Sequence, residues 1–295
     1  MDIRYLFQMV LNAILAGSIY SLIALGFTLI FGIARVLNFA HGEMYMMGGF
    51  IAYYSIVKWH MPFLLGVAVA SLGMAVLGIA LEKVLFRPIR LIRPLEMDTE
   101  TEFPTVVVAL ALALIFPPIA VAMFGTTEKG VPSGIEGVMP IGPALISKER
   151  LTIAAIGLAL FLGLFLFIRY HREGRALNAV AQDRVAAILQ GINLDRASSM
   201  SFAIGLGLAG AAGGLLAPLY YVDPTMGPPA LLKTFIVVIL GGIGSVPATL
   251  LGGLLFGFIE VFGRITLGGN LPMLISFLLV MVFLIIRPRG ILGHD

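Results

Sequence analysis

Two ionisable side chains, His41 and Glu43, stand in the stretch NFAHGEMYMMGGF, residues 38–50, between two long apolar runs. Residues of these types raise three chemistries: metal ligation, proton transfer, or the stabilisation of a helix end. Ligation from a helix needs two histidines four apart, as in H-E-x-x-H with the Glu as base. H-G-E lacks that spacing, and no second His-rich ligand set follows it. His60, His171 and His294 fall in loops, and the chain has no cysteine, so neither a zinc site nor thiolate chemistry is expected. No nucleophile–base set accompanies the pair, so catalysis is set aside. Two readings stay open. Glu43 can cap the first turn of a helix over 44–57, where the helix dipole favours a carboxylate, with His41 bonding backbone freed by a break. Alternatively both line a gate or a substrate path, the default hypothesis for an ionisable group in a membrane segment.

The elements that must position these residues follow from composition. The 295 residues are 59% hydrophobic and 12% charged, against about 25% charged for an ordinary soluble domain. Mean hydropathy is +1.03 and the isoelectric point is near 9.3. The basic residues sit in short loops between apolar runs, as the positive-inside rule requires, so the charge argues for a membrane and not for nucleic acid. The fold class expected is an all-α integral membrane protein. It is read as one transmembrane permease domain over 1–295, with the first apolar run retained as a span.

A crossing helix needs about 20 apolar residues. Runs at about 8–32, 62–81, 105–124, 151–169, 198–221 and 271–287 meet this. The run at 44–57 is short, and that at 231–263 is long but broken by GGIGSVP, giving half-helices at 231–242 and 247–263. The count is eight or nine crossings, including broken or re-entrant half-helices. Lys83, Arg87, Arg90 and Arg93 form one basic group, Arg169, Arg172, Arg175, Arg184 and Arg196 a second, and Arg287 and Arg289 a third. All three are expected in the cytoplasm, with the C-terminus, while the N-terminus and the Gly/Pro-rich loop at about 125–150 are expected outside.

The two breaks are a candidate pair. Irregular backbone at membrane depth survives only when buried in protein or lining a wet cavity. Interruptions in the two halves of a chain point to a transport path and an internal repeat. The competing reading is close helix packing through glycine, which LGLAGAAGGLLA at 206–217 certainly serves. Path or break candidates are Asn38, His41, Glu43, Gly48 and Gly49 in the first break, and Gly242, Gly244, Ser245, Pro247 and Thr249 in the second. Between the basic spans, the segment at about 171–197 reads as one amphipathic helix over 174–191, stopped by Gly191 and Asn193 and suited to a cytoplasmic partner or the membrane surface. No G-x-x-x-x-G-K-S/T occurs, so an ATP-driven process would need a motor on another chain.

LNFAHGEMYMMGGF, EKVLFRPIR, REGRALNAVAQDRVAAILQGINLDR, VVILGGIGSVPATLLGGLLFGFIE and RPRGILG together resemble the LivH-type permease subunits of branched-chain amino acid ABC importers, in order along nearly the whole chain. The resemblance implies a subunit of the bacterial inner membrane. Its partners would be a homologous second permease, two cytoplasmic ATPases that bind the ATP, and an extracytoplasmic amino-acid-binding protein. The permease itself would hold no cofactor. The resemblance also implies that the segment near 174–191 couples to the ATPases, with Arg175, Asp183, Arg184, Ala187 and Gly191 as its candidate residues.

Permeases for urea or short amides resemble the same motifs, and a self-contained secondary transporter or channel is the reading from a different class. Among the remaining charges, Glu82 and Lys83 are expected in the headgroups, Glu260 and Arg264 as a surface i,i+4 pair, and Asp223 and Lys233 at an external turn. Trp59, Tyr220 and Tyr221 are expected in an outer aromatic belt.

Overall fold

The computed structural model describes residues 3–92, 102–242 and 244–267, with 277–278, 281–283 and 285 beyond them. The span expected at 271–287 is described only at those last positions, and the tail with Arg287, Arg289 and His294 lies outside the described residues, as do Arg93 and the side chain of Arg264.

Hydrocarbon offers the backbone no hydrogen-bond partner, so each apolar run closes its own ladder as a helix. In chain order these are α1 (Ile3–Ala34), α2 (His41–Tyr53) with a π turn at Tyr54–Lys58, and α3 (Phe63–Leu81), which a second π turn (Glu82–Phe86) joins to α4 (Arg87–Ile92). They continue as α5 (Glu102–Phe124), α6 (Lys148–Tyr170), α7 (Arg172–Gln182), α8 (Arg184–Leu189), α9 (Leu194–Leu216), α10 (Gly227–Gly241) and α11 (Val246–Leu267). Among the described residues, six stretches are long and apolar enough to cross a bilayer: Arg4–Ala34, Phe63–Leu91, Phe103–Phe124, Lys148–Tyr170, Leu194–Leu216 and Val246–Gly263. α2 and α10 are shorter, at 13 and 15 residues.

The expected outer loop holds a small antiparallel hairpin, β1 (Val138–Ile141) with β2 (Ala144–Ser147), that an all-helical reading did not include. Gly142, at φ 58°, supplies the positive-φ position of its two-residue turn. The Gln8 amide of α1 bonds both the N–H and the C=O of Leu145, at 2.9 Å each. Lys129 and Val222 exchange backbone bonds of 2.9 and 3.0 Å. The start of α1, the hairpin and the segment after α9 thus share one end of the molecule. Trp59, Tyr220 and Tyr221 are exposed, as a belt requires.

The core is built around α9. Every residue from Gly205 to Leu216 is buried, and 78% of its most apolar window is enclosed, against 11% for α5. A helix buried all round must let neighbours approach from several sides, and glycine permits it. A Cβ on Gly210 would run into Met74 and the Ala70 carbonyl of α3, one on Gly48 into the Gly210 backbone of α9, and one on Gly205 or Gly26 would clash between α9 and α1. α11 lies antiparallel along α1 in the same manner, Gly253 and Gly257 facing Gly17.

Three charged positions differ from expectation, and one of them is Glu260, which is buried and pairs with Lys233 instead of standing at the surface. Glu82 is fully buried, not in the headgroups: it pairs with Arg90 and accepts a 2.5 Å bond from Ser199 of α9. The turn from α3 into α4 folds Arg90 back over it, so both carboxylate oxygens of the buried Glu82 have a partner. Lys83 remains exposed. Lys233 is not an external turn residue either. It lies within α10 and reaches Glu260 of α11 at 3.2 Å and the Tyr20 hydroxyl of α1 at 3.0 Å. Asp223 does serve its turn, accepting from the Thr225 backbone at 2.7 Å.

Candidate functional site

The first break is a backbone excursion after α1. Arg35 adopts φ 53°, and the chain then runs without helical bonding to α2. Asn38 is buried and closes an Asx turn, its Oδ1 accepting from Ala40 N–H at 3.1 Å while its carbonyl accepts from His41 N–H at 3.0 Å. Asn38 therefore shapes the entry to α2.

His41 is fully buried, and its Nε2–H donates to the Ile23 carbonyl at 3.0 Å. Ile23 lies eleven residues before the end of α1, about 16 Å at 1.5 Å per residue. The sequence argument put His41 at the mouth of the span; the non-helical 35–40 segment instead carries it inward, against Ile23 of α1. Phe27 meets the imidazole edge-on at 5.8 Å, and Nδ1 has no hydrogen-bond partner. Glu43, 3% exposed, faces the other way. Its carboxylate fills the space a Gly227 side chain would need at the start of α10, and its Oε2 is unpartnered. Gly227 is a site residue that sequence reasoning missed; the signal was the helix-starting GPP that opens α10. Gly48 and Gly49 pack against Gly210 and Val222.

The second break sits elsewhere. Gly242 and Gly244 have φ of 110° and 88°, conformations that favour glycine, and they end α10 and lead into α11. Gly244 lies over Gly32, nine residues beyond Ile23 towards the end of α1. The two breaks are therefore not brought together at one depth. What meets the first break is the start of α10. The Ser245 carbonyl accepts from the backbone and the hydroxyl of Thr249, each at 3.0 Å. Thr249 is fully buried and its hydroxyl lies 2.7 Å from that of Thr28, so it fastens α11 to α1.

Gly244, Ser245 and Pro247 border a cavity of about 1290 Å³, which α1, the end of α6 and α7 complete. Arg35, Arg169, Arg175, Asn178 and Gln182 also line it. The cavity thus joins the second break to the segment expected to take a partner.

That segment is two helices, not the single one over 174–191 that periodicity predicts. Asp183, at φ −148° and ψ 109°, leaves the helical region after α7 and caps α8, its Oδ1 accepting from Ala186 N–H at 3.0 Å. Gly191, at φ 79°, ends α8, with Ile192 N–H bonded to the Ala187 carbonyl at 3.0 Å. Leu177, Val180 and Ala187 are buried, whereas Val185, Ile188 and Leu189 are exposed. The Arg184 guanidinium lies 3.4 and 3.3 Å from the Ile33 and Ala34 carbonyls, the last of α1, where a cation meets the negative end of the helix. Arg196 of α9 pairs with Glu173 of α7 at 2.8 Å. The segment is therefore tied to two core helices by long-range contacts that no local pattern announces.

Comparison with known proteins gives a consistent result. Residues 9–286 match the family model for the permease component of branched-chain amino acid transport systems. The chain is 33% identical to the high-affinity branched-chain amino acid transport system permease protein LivH of Escherichia coli, covering 98% of this chain and 96% of the relative. It is 33% identical to the corresponding protein BraD of Pseudomonas aeruginosa, covering 99% and 97%. A probable branched-chain amino acid permease of Methanocaldococcus jannaschii is 24% identical over 96% and 91%. No solved structure matches the chain.

Proposed function

The chain belongs to the family of branched-chain amino acid transport permeases, and on that premise we propose that it is the membrane-spanning subunit of an importer for leucine, isoleucine and valine, driven by separate ATPase subunits. It acts with a second homologous permease, two cytoplasmic ATPases and an extracytoplasmic binding protein. It sits in the bacterial inner membrane as a single permease domain, with the hairpin end outside and α7 and α8 in the cytoplasm. The observation that carries the reading is the cavity joining the Gly244–Pro247 turn to α7, because it sets a candidate exit beside the segment that would receive a motor.

In this reading the two breaks divide the work. Glu43, buried without a partner for Oε2, and His41 mark the inner end of α2 as the place where a zwitterion is handed on. Asn38, Gly48, Gly49 and Thr249 hold the helices at close approach. Gly242, Gly244, Ser245 and Pro247 form the turn that bounds the exit. Asp183, Arg184, Ala187 and Gly191 shape the coupling segment, and α8 offers Val185, Ile188 and Leu189 to an ATPase groove.

The test is co-reconstitution of the chain with its second permease, the ATPases and the binding protein in proteoliposomes. ATP-dependent leucine uptake is expected. Uptake by the permeases alone, without ATPases, would overturn the reading in favour of a secondary transporter, and urea uptake with leucine excluded would reassign the cargo.

A further inference from the structure

Three arginines, all of them exposed, border the cavity that opens beside α7: Arg35 after α1, Arg169 at the end of α6 and Arg175 on α7. Among the described residues, none of the three forms an ion pair, although five other cation–carboxylate contacts are made. Arg169 instead lies over the rings of Phe165 and Tyr170, at 6.0 and 5.8 Å. Among the described residues, no acidic side chain lines the cavity, so the three cations border it without a carboxylate beside them there. Arginine presents a planar fork of donors that matches a carboxylate, and in a concave site of reduced dielectric its field is stronger than on an open surface.

Beside the uncharged polar side chains of Thr28, Asn178, Gln182 and Ser245, part of the wall is apolar. Leu29, Phe31, Ile33, Phe165, Ile168 and Val246 supply it. A cation cluster beside a wall of aliphatic and aromatic side chains is complementary to a small carboxylate with a branched apolar tail. We propose that the vestibule is a low-affinity binding site for such carboxylates, and that it receives the cargo by its carboxyl end as it leaves the path. The inference rests on the importer reading and extends it. Because no acidic side chain among the described residues lines the cavity, the site reads the carboxylate and the tail more strongly than the amino group.

The site has a built-in consequence for coupling. Arg175, Asn178 and Gln182 reach it from α7, whose far end at Asp183 caps α8. An anion in the vestibule therefore contacts the coupling segment directly, and α7 senses whether the exit is occupied. An anionic lipid headgroup offers the same charge, and the experiment separates it from a soluble carboxylate.

The permease–ATPase complex, without binding protein, is placed in phosphatidylcholine nanodiscs and examined by saturation-transfer NMR with 4-methylpentanoate and with 3-methylbutylamine. The two share a branched tail and differ in charge. Transfer to the methyl groups of the acid is expected to be at least threefold stronger than to the amine. It is expected to fall at least threefold in the Arg35→Gln/Arg175→Gln double variant, and to be unchanged in Arg150→Gln, which lies at the other end of α6. Co-elution of permease and ATPase on size exclusion shows that the double variant is assembled, and the single variants Arg35→Gln and Arg175→Gln are read in the same way if it is not. Equal transfer to acid and amine, or full transfer in assembled arginine variants, overturns the proposal. Loss of transfer when phosphatidylglycerol replaces phosphatidylcholine assigns the site to a lipid headgroup and overturns the soluble carboxylate. ATP-driven leucine uptake with no saturation transfer overturns the vestibule site alone, whereas absence of uptake strikes the importer reading.

Discussion

The Lys233 ammonium of α10 lies 3.2 Å from the Glu260 carboxylate of α11 and 3.0 Å from the Tyr20 hydroxyl of α1, over whose ring it also sits at 4.5 Å. One cation thereby fastens three helices, and it does so beside the half-length α10. The side chains are 27% and 9% exposed, so solvent screens the pair only in part. Removing one member of a well-buried pair costs about 3–5 kcal/mol, and partial exposure lowers this towards 1–2 kcal/mol. Lys233→Met is expected to lower unfolding stability by that smaller amount, and Glu260→Gln similarly. The Lys233→Met/Glu260→Gln double variant should recover part of the loss. A double-mutant cycle on denaturant unfolding in micelles checks this, and strictly additive losses would show that the two side chains do not interact.

Glu82 gives a sharper expectation because it has no exposure at all. Glu82→Ala strands Arg90, which keeps only Asp195 at 3.4 Å, and removes the acceptor of Ser199. A buried charge left so is expected to cost about 3 kcal/mol, whereas Ser199→Ala loses one hydrogen bond to a charged group, about 1.5–3 kcal/mol. Thermal unfolding of the two variants should rank them in that order. The reverse ranking would show that Arg90 finds another partner on its own.

The contrast between these two residues shows what a sequence can and cannot disclose. The long spans were legible from apolar length at α1, α3, α5, α6 and α9, whereas α11, expected as a half-helix over 247–263, is long and apolar enough to cross a bilayer. Glu82 was misplaced because its location in the chain is that of a headgroup residue, while its burial depends on Ser199, 117 positions away. Lys233 was misplaced because α10 begins earlier, at Gly227, and carries this charge inward to Glu260. The division of the coupling segment was within reach. Asp183 is a standard N-cap residue, but the helical spacing of Leu177, Val180 and Ile188 concealed a break that shifts the phase only slightly. For His41 the pattern signalled importance, and only the non-helical 35–40 segment revealed its depth.

Glycines separate into two populations with opposite expected effects. Gly210→Val drives a branched side chain into Met74 and the Ala70 carbonyl, and Gly48→Val into the Gly210 backbone. Backbone cannot yield as a side-chain tip can, so each is expected to cost at least about 3 kcal/mol, the upper range for overpacking, and to abolish accumulation in the membrane. Gly163→Ala meets nothing within 4 Å and is expected to be neutral or to stabilise α6 by up to about 1 kcal/mol. Expression and thermal unfolding of the three variants check the division, and a stable Gly48→Val would show that α2 and α9 can separate.

Arg184 links the proposed coupling segment to α1, because its guanidinium rests on the Ile33 and Ala34 carbonyls while its backbone begins α8. Movement of α8 by a docked ATPase would pull on the end of α1. That end borders the vestibule through Phe31, Gly32 and Ile33. Arg184→Ala cuts this link without touching the cap, since Asp183 still accepts from Ala186. Asp183→Ala does the converse: it loosens α8, by about 1 kcal/mol for a lost N-cap, and leaves the guanidinium in reach of α1. The measured quantity is the ratio of ATP hydrolysis with and without leucine-loaded binding protein in the reconstituted complex. Arg184→Ala is expected to reduce that ratio about fivefold, the lower end of ordinary coupling energies, and Asp183→Ala to reduce it less. An unchanged ratio in Arg184→Ala would mean that force reaches the core through another contact, with the Arg196–Glu173 pair between α9 and α7 as the next to cut.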